Sequence, residues 1–358
     1  MDIRNMFLAA AWTMIICGSI YAQDRGAASS ISWSPDGQTI AVASTTGLWL
    51  FDNEFNELGN LDLEPDIMSQ ERFVAWDSTG DYVVYSGPLI TQISIVDVSK
   101  LKVITAIADT YTWGPVRWHP TADRIVSGTL SGIIRVWDAI TGEELFYFDS
   151  MAEYPYDRLF HETLGLCWFS EKALIIISPQ RIFVVDVDEG SKLEEFGPEP
   201  FGRRNVDCNS ENRILSVDGR LFDLEAGSLS RDFLQFSELN YPVSLTTPAA
   251  VRWSPDSRRF VANLTGCLTR VYDGRTGKVI AGMPGGLRNL GTSPYFFIDS
   301  IAWHPDGGRF AVVGQFGDIR VWDAKTYELL QRFDGFELHP SVSARMEKSG
   351  KTGKELCP

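Results

Sequence analysis

Apolar residues along this chain fall in short runs rich in Val, Ile, Phe and Trp, interrupted every few positions by Gly, Pro, Asp or Ser. The runs do not recur at the spacing of an amphipathic helix, so the pattern predicts short β-strands joined by tight turns. The stretch 301–323, IAWHPDGGRFAVVGQFGDIRVWD, reads as one unit. IAW is a strand, and HPDGG is a turn in which Pro305 supplies a fixed negative φ and Gly307 is free to take a positive one. RFAVVG is a second strand, QFGD turns again, IRVWD is a third strand, and AKTYELLQRF adds a turn and a fourth.

Six other segments share this plan: 31–52, 73–98, 116–138, 164–187, a degenerate 206–223, and 251–273. Each unit closes on an Asp, namely Asp52, Asp97, Asp138, Asp186, Asp223, Asp273 and Asp323, at intervals of 37 to 50 residues. A four-stranded meander is too small to bury both its faces alone, so seven of them must stack radially. The expectation is an all-β chain, a seven-bladed β-propeller of four-stranded antiparallel blades over residues 23–340.

The ends of the units carry a family likeness. GIIRVWDAITGEELFYF and GDIRVWDAKTYELLQRF resemble the end of a WD40 repeat, and WSPDG and WHPDG resemble its first hairpin. The resemblance spans roughly residues 31–336, with the period near 40–45 residues that such repeats show. It implies a propeller that serves as a protein- or peptide-binding scaffold and not as an enzyme. The SPDG turns also resemble those of periplasmic TolB-like propellers. In one departure from the family, no Gly-His dipeptide stands ahead of any first strand; typical members use it to anchor a hydrogen-bond network. In many members the N-terminal strand completes the last blade. Here the last unit has its own fourth strand, so the ring is expected to close by face packing between first and last blades, without strand exchange.

The N-terminus, MDIRN followed by MFLAAAWTMIICGSI and YAQD, has the layout of a secretory signal peptide. Cleavage after Ala22 would export the chain to the periplasm or the extracellular space, with no membrane span left. An uncleaved N-terminus would instead mark an intracellular WD40 scaffold. The polar tail, 341–358, is expected to be disordered. With 47 acidic and 32 basic residues the net charge is −15, a field that repels phosphate backbones and argues against a nucleic-acid partner. Nothing suggests an assembly larger than a monomer. Cys17 leaves with the signal peptide, and Cys167, Cys208, Cys267 and Cys357 remain. An even number permits disulfides, but Cys167 and Cys208 sit in apolar strand-like stretches and are expected to be buried free thiols. Their spacing fits no metal site, and no cofactor is implied.

The candidate chemistry is sparse. GxSxG, HExxH and P-loop motifs are absent from the sequence. His119 and His304 occupy one repeat position, which elsewhere holds Ser34, Asp77, Phe169, Asn209 and Ser254. A position repeated around a ring serves the architecture, so these residues are expected to bond locally within a turn. The residue before the closing Trp of each first strand faces the central channel: Ser32, Ala75, Arg117, Cys167, Asp207, Arg252 and Ala302. Arg117 and Arg252 are channel candidates for holding a carboxylate or phosphate, although Asp207 and Arg252, from adjacent blades, can simply pair. A polar site at this channel mouth is also where a propeller hydrolase or lyase would work.

Turns on one side of the ring are tight, whereas the blade-to-blade connections opposite are long and aromatic. They place Tyr111, Trp113, Tyr154, Tyr156, Tyr241, Tyr295, Phe296 and Phe297 at the top face, where aromatics supply binding energy to a protein or peptide partner. NLT at 263–265 matches a glycosylation sequon but falls at a strand end.

Overall fold

The computed structural model describes residues 25–63, 72–86, 92–108, 115–129, 131–150, 152, 163, 165–197, 206–209, 214–217, 220–232, 248–264, 268–284, 301–314 and 318–336. They form seven antiparallel sheets, each of four consecutive strands. Blade 1 comprises Ala28–Trp33, Thr39–Ser44, Gly47–Asp52 and Glu57–Asp62; blades 2 to 7 follow over 73–107, 116–149, 165–196, 206–232, 248–284 and 301–333. The first strand of every blade packs beside the first strands of both neighbours, including that of blade 1 beside that of blade 7. The result is a closed ring, the expected seven-bladed β-propeller. The proposed signal peptide and C-terminal tail lie outside the described residues.

The core is divided into seven wedges, one between each pair of consecutive blades. The middle strands of a blade are covered on both faces, which explains why TIAVAS and GLWLFD read as near-continuous apolar runs rather than alternating ones. Fourth strands are half exposed, as in ELGNLD and SKLEEF. In every blade the pairing of third and fourth strands skips one residue on the outer strand: Leu58, Ile104, Leu145, Leu193, Ser230, Ile280 or Leu330. The six apolar ones are all exposed, by 39–55%. The bulge re-twists each edge strand, a device that hinders pairing with another chain.

Neighbouring blades are tied at two repeated positions. In blades 2 and 7 the Trp that closes the first strand reaches the preceding blade: Trp76 Nε1 donates to the Ser32 carbonyl and Trp303 Nε1 to the Arg252 carbonyl, both at 3.1 Å, whereas Trp33 Nε1 donates to Asn53 of its own blade. Blade 5 has Cys208 where the Trp would stand, and Cys208 is disulfide-bonded to Cys167, the residue before Trp168 in blade 4. The free-thiol expectation for this pair is thus corrected. Their strands run side by side at the ring centre with the Cα atoms 6.1 Å apart, within the span a disulfide bridges.

The second tie is the turn position. Ser34, Asp77 and Ser254 bond within their own turns, as expected. The three side chains that carry an N–H donor reach forward as well. His119 Nε2 lies 2.8 Å from the Glu171 carbonyl of blade 4, Asn209 Nδ2 donates to the Ser257 carbonyl of blade 6, and His304 Nε2 lies 3.1 Å from the Gly37 carbonyl of blade 1. His119 Nδ1 accepts the backbone N–H groups of Thr121 and Ala122, which leaves the proton on Nε2 to donate across the junction. Gly37 has φ +71° and lies under the His304 ring, where a Cβ would collide with the imidazole.

Blades 7 and 1 meet without strand exchange among the described residues. Their seam is filled by Trp49, Phe51, Phe55, Phe333 and Phe336. Arg25 lies over the Trp49 ring at 5.2 Å, pairs with Glu57 at 2.8 Å and donates to the Gly335 carbonyl, strapping the outer side of the seam.

Candidate functional site

Of the seven first-strand residues expected to face the channel, five border one cavity, and Cys167 and Asp207 are not part of its lining. Ser32, Ala75, Arg117, Arg252 and Ala302 border a cavity of about 210 Å³, together with Ile31, Trp33, Val74, Ile301 and Trp303. Arg117 comes from blade 3 and Arg252 from blade 6, so two guanidinium-bearing strands with two blades between them serve one cavity. Each arginine Nη1 donates to the carbonyl of the residue before it, Val116 at 3.0 Å and Val251 at 2.8 Å, which fixes the reach of both side chains.

Asp207 Oδ2 accepts the backbone N–H of Trp253 at 2.7 Å, and its Oδ1 is 3.9 Å from Arg252 Nη1. The first contact ties blade 5 to blade 6; the second is a loose ion pair. The Asp207–Arg252 pairing read from the sequence is therefore present, but the carboxylate's shorter bond goes to the backbone. Burial pushes the Arg117 guanidinium below its ordinary value, against the opposing pull of Asp207. Burial and repulsion from Arg117 push Arg252 down to about 10, with Asp207 again opposing. Both remain cations at neutral pH.

Among the described residues, no three His, Cys, Asp or Glu side chains gather as a metal would need. The lining of this cavity, among the described residues, carries two cations and no carboxylate, where a glycoside-hydrolase site would bring two acids together. His304 and Asp306 are spent on a hairpin turn: Asp306 Oδ1 is 2.7 Å from His304 Nδ1 and accepts the Gly308 N–H. The Gly308 N–H, then His304, holds the Asp306 carboxyl below its ordinary value.

The closing Asp residues are turn formers. Asp138, Asp186, Asp223 and Asp323 each accept the N–H groups two and three residues on. Asn263 of the sequon is fully buried in its strand and accepts from Thr269, so it presents no glycan acceptor in the folded chain.

All eight aromatics expected at the top face, Tyr111, Trp113, Tyr154, Tyr156, Tyr241, Tyr295, Phe296 and Phe297, lie outside the described residues. The sequence reading did not anticipate that Trp33 and Trp303 border the channel cavity, or that Cys208 stands in for a Trp. The second was visible in VDCN, where a Cys occupies the place of the strand-closing Trp.

Comparison with known proteins agrees with this architecture. Residues 103–138 match the family described as WD domain, G-beta repeat; they run from the outer strand of blade 2 through the third strand of blade 3. WD repeat-containing protein 1 of Gallus gallus is 26% identical over 247 residues, covering 64% of this chain and 37% of that protein. Actin-interacting protein 1 of Drosophila melanogaster is 23% identical over 245 residues, with the same coverages. The chain thus spans little more than a third of the length of these relatives. The β-propeller domain of Cps50 (Swd1) from Myceliophteria thermophila superposes with a TM-score of 0.67 at 14% identity, over 83% of this chain and 96% of that one. WD40-repeat proteins are in general non-enzymatic and bind other proteins. Seven four-stranded blades closing on Trp-Asp and its variants, with a repeat that starts on one blade's outer strand, make the chain a β-propeller similar to the WD40-repeat family.

Proposed function

We propose that this chain is an exported, non-enzymatic WD40 propeller that binds another protein or peptide across its top face. The observation that carries the reading is the contrast between the two ends of the ring. The turns on one side are short and internally bonded through Asp and Ser side chains, leaving little to offer a partner. The connections on the other side are long and rich in Tyr, Trp and Phe, the residues that dominate binding energy at protein interfaces. The acidic charge favours a partner with a basic surface over any polyanion. A relative's name, actin-interacting protein 1, supports a protein partner as a class. Export is supported by the N-terminal apolar run and by the Cys167–Cys208 disulfide, a bond that persists in oxidising compartments.

The test replaces Trp113, Tyr156 and Phe297 together with Ala and compares retention of proteins from the native extract. Loss of specific retention with an unchanged circular dichroism spectrum supports top-face binding; unchanged retention overturns it. Sequencing of the native protein's N-terminus should begin at Gln23, and a start at Met1 would overturn cleavage of the signal peptide.

A further inference from the structure

The seam between blades 7 and 1 ends outward in a pocket shaped for a cation. Trp49 and Phe51 of the third strand of blade 1 and Phe333 of the last strand of blade 7 present their rings to it. The guanidinium carbon of Arg25 lies 5.2, 5.9 and 5.8 Å from their centroids, all within cation–π range. Arg25 Nη2 pairs with Glu57 of blade 1 at 2.8 Å, and Nη1 donates to the Gly335 carbonyl, just past blade 7, at 3.3 Å. Arg25 Nε is buried with no hydrogen-bond partner among the described residues. Drawing a guanidinium out of water costs free energy, and an aliphatic side chain could close an aromatic wedge without that cost. What offsets it here is specific to a planar cation: ring faces and one carboxylate.

The group that fills this pocket comes from outside the blades. Arg25 precedes the first strand, Ala28–Trp33, and the root of its arm is fixed. Gly26 takes φ +60° against Thr45, whose hydroxyl a Cβ would strike, and the Ala27 N–H donates to Thr45 Oγ1 at 3.0 Å. The Arg25 and Glu57 side chains stay 21% and 25% exposed, so the pocket opens to solvent. We propose that the outer mouth of this seam is a guanidinium-binding site, that Arg25 is its tethered ligand, and that its occupancy latches blade 7 to blade 1. With Arg25 absent, the site takes a free alkylguanidinium. An ammonium is a poorer guest, because it cannot meet Glu57 and the Gly335 carbonyl together while lying flat against the rings.

Chemical rescue in the full chain tests this. Arg25→Ala should lower the melting temperature, and millimolar ethylguanidinium should restore most of the loss, whereas its neutral isostere ethylurea should restore none. Calorimetric titration of the variant should show ethylguanidinium bound about 10-fold more tightly than ethylammonium. Adding Glu57→Gln should weaken ethylguanidinium by about 10-fold. The unaltered chain should bind it several-fold more weakly than the variant, because Arg25 on its short fixed arm competes at high effective concentration. Equal titration of the two chains would overturn Arg25 as the resident guest and leave the pocket open to a partner's arginine. Equal rescue by ethylguanidinium and ethylurea, or rescue by neither, would overturn the site itself. An Arg25→Ala chain that melts like the unaltered one would overturn the latch. Should the variant not fold alone, folding with ethylguanidinium but not with ethylurea supports the site, and failure with both overturns it.

Discussion

Between blades 7 and 1 the wedge is filled by Phe51, Phe55, Phe333 and Phe336 and strapped by Arg25 and His304, while between blades 4 and 5 the tie is a covalent Cys167–Cys208 bond. The first junction joins residues nearly three hundred positions apart, and its tie is side-chain packing. Phe55 stacks on Phe333 with ring centroids 5.0 Å apart, and Phe51 meets Phe333 edge-on at 5.2 Å. The second joins strands close in sequence, but blade 5 is the degenerate one. On its other face it gives the blade 5–6 wedge only Leu221 and the partly buried Ile214 among the described residues. A ring fails at its weakest junction, so a blade that packs thinly is held where its Trp is missing. The comparison teaches that different junctions of one ring are tied by different chemistry, aromatic packing where the blades carry large rings and a covalent bond where the strand-closing Trp is replaced by Cys208.

The largest effect is expected at the aromatic seam. Phe51→Ala removes a fully buried ring and should cost about 3–5 kcal/mol, read as a lowered melting temperature and a lower denaturant midpoint. A loss below about 1 kcal/mol would show that closure does not depend on this packing. Next comes the disulfide, which closes a loop of sequence separation 41. Cys167→Ser with Cys208→Ser should cost about 2–4 kcal/mol, and adding reductant to the unaltered chain should lower its melting temperature to the same value. A melting temperature indifferent to reductant would remove the covalent half of the comparison.

Much of this was legible beforehand, for reasons visible in particular residues. The blades could be read because WHPDG and IRVWD carry their own turn chemistry: Pro305 and Gly307 fix one corner, and Asp323 fixes the next through two N–H bonds. The channel position of Arg117 and Arg252 followed from strand alternation once the first strands were placed. The cross-blade bonds were not legible, because whether His304 bonds within its turn or reaches Gly37 depends on how close the next blade stands. The same holds for Cys167 and Cys208. In sequence they are two thiols in apolar strands, and only the ring brings adjacent first strands within bonding distance. Similarly, the exposed Leu330 and Leu193 look like core residues until the bulge turns them outward.

A smaller effect should follow from the turn ties. His304→Ala removes the bond to the Gly37 carbonyl at the aromatic seam and should cost about 1–2 kcal/mol. His304→Gln, whose amide can still donate, should recover part of it. Asn209→Ala, which cuts the equivalent bond to Ser257, should behave alike, whereas Ser34→Ala touches only its own turn and should leave the junction intact. Urea midpoints of the four variants check this. Equal losses for Ser34→Ala and His304→Ala would mean that the cross-blade bonds of the nitrogen-bearing side chains add nothing.

The smallest effect concerns acid, and it separates the turns from both junctions. The Asn56 side chain holds the Asp52 carboxyl below its ordinary value, Lys100 brings Asp97 down to about 2, the Thr141 N–H lowers Asp138, the Thr276 hydroxyl lowers Asp273, and the Thr326 N–H lowers Asp323. A carboxyl depressed in the folded chain takes up its proton more readily when unfolded. The stability it contributes is therefore complete above the unfolded value of about 4 and is lost as pH falls through the folded one. Melting temperature should hold down to about that point and then drop towards pH 2, the folded value of Asp97. Asp323→Asn, which keeps an acceptor oxygen but cannot titrate, should make the drop shallower. Because these turns lie away from the Cys167–Cys208 bond, melting curves of the oxidised and reduced chains between pH 5 and pH 2 should fall in parallel, offset by the disulfide's contribution. Curves that converge in acid would show that the blade 4–5 junction itself titrates, and that the covalent tie and the turn carboxylates are not independent.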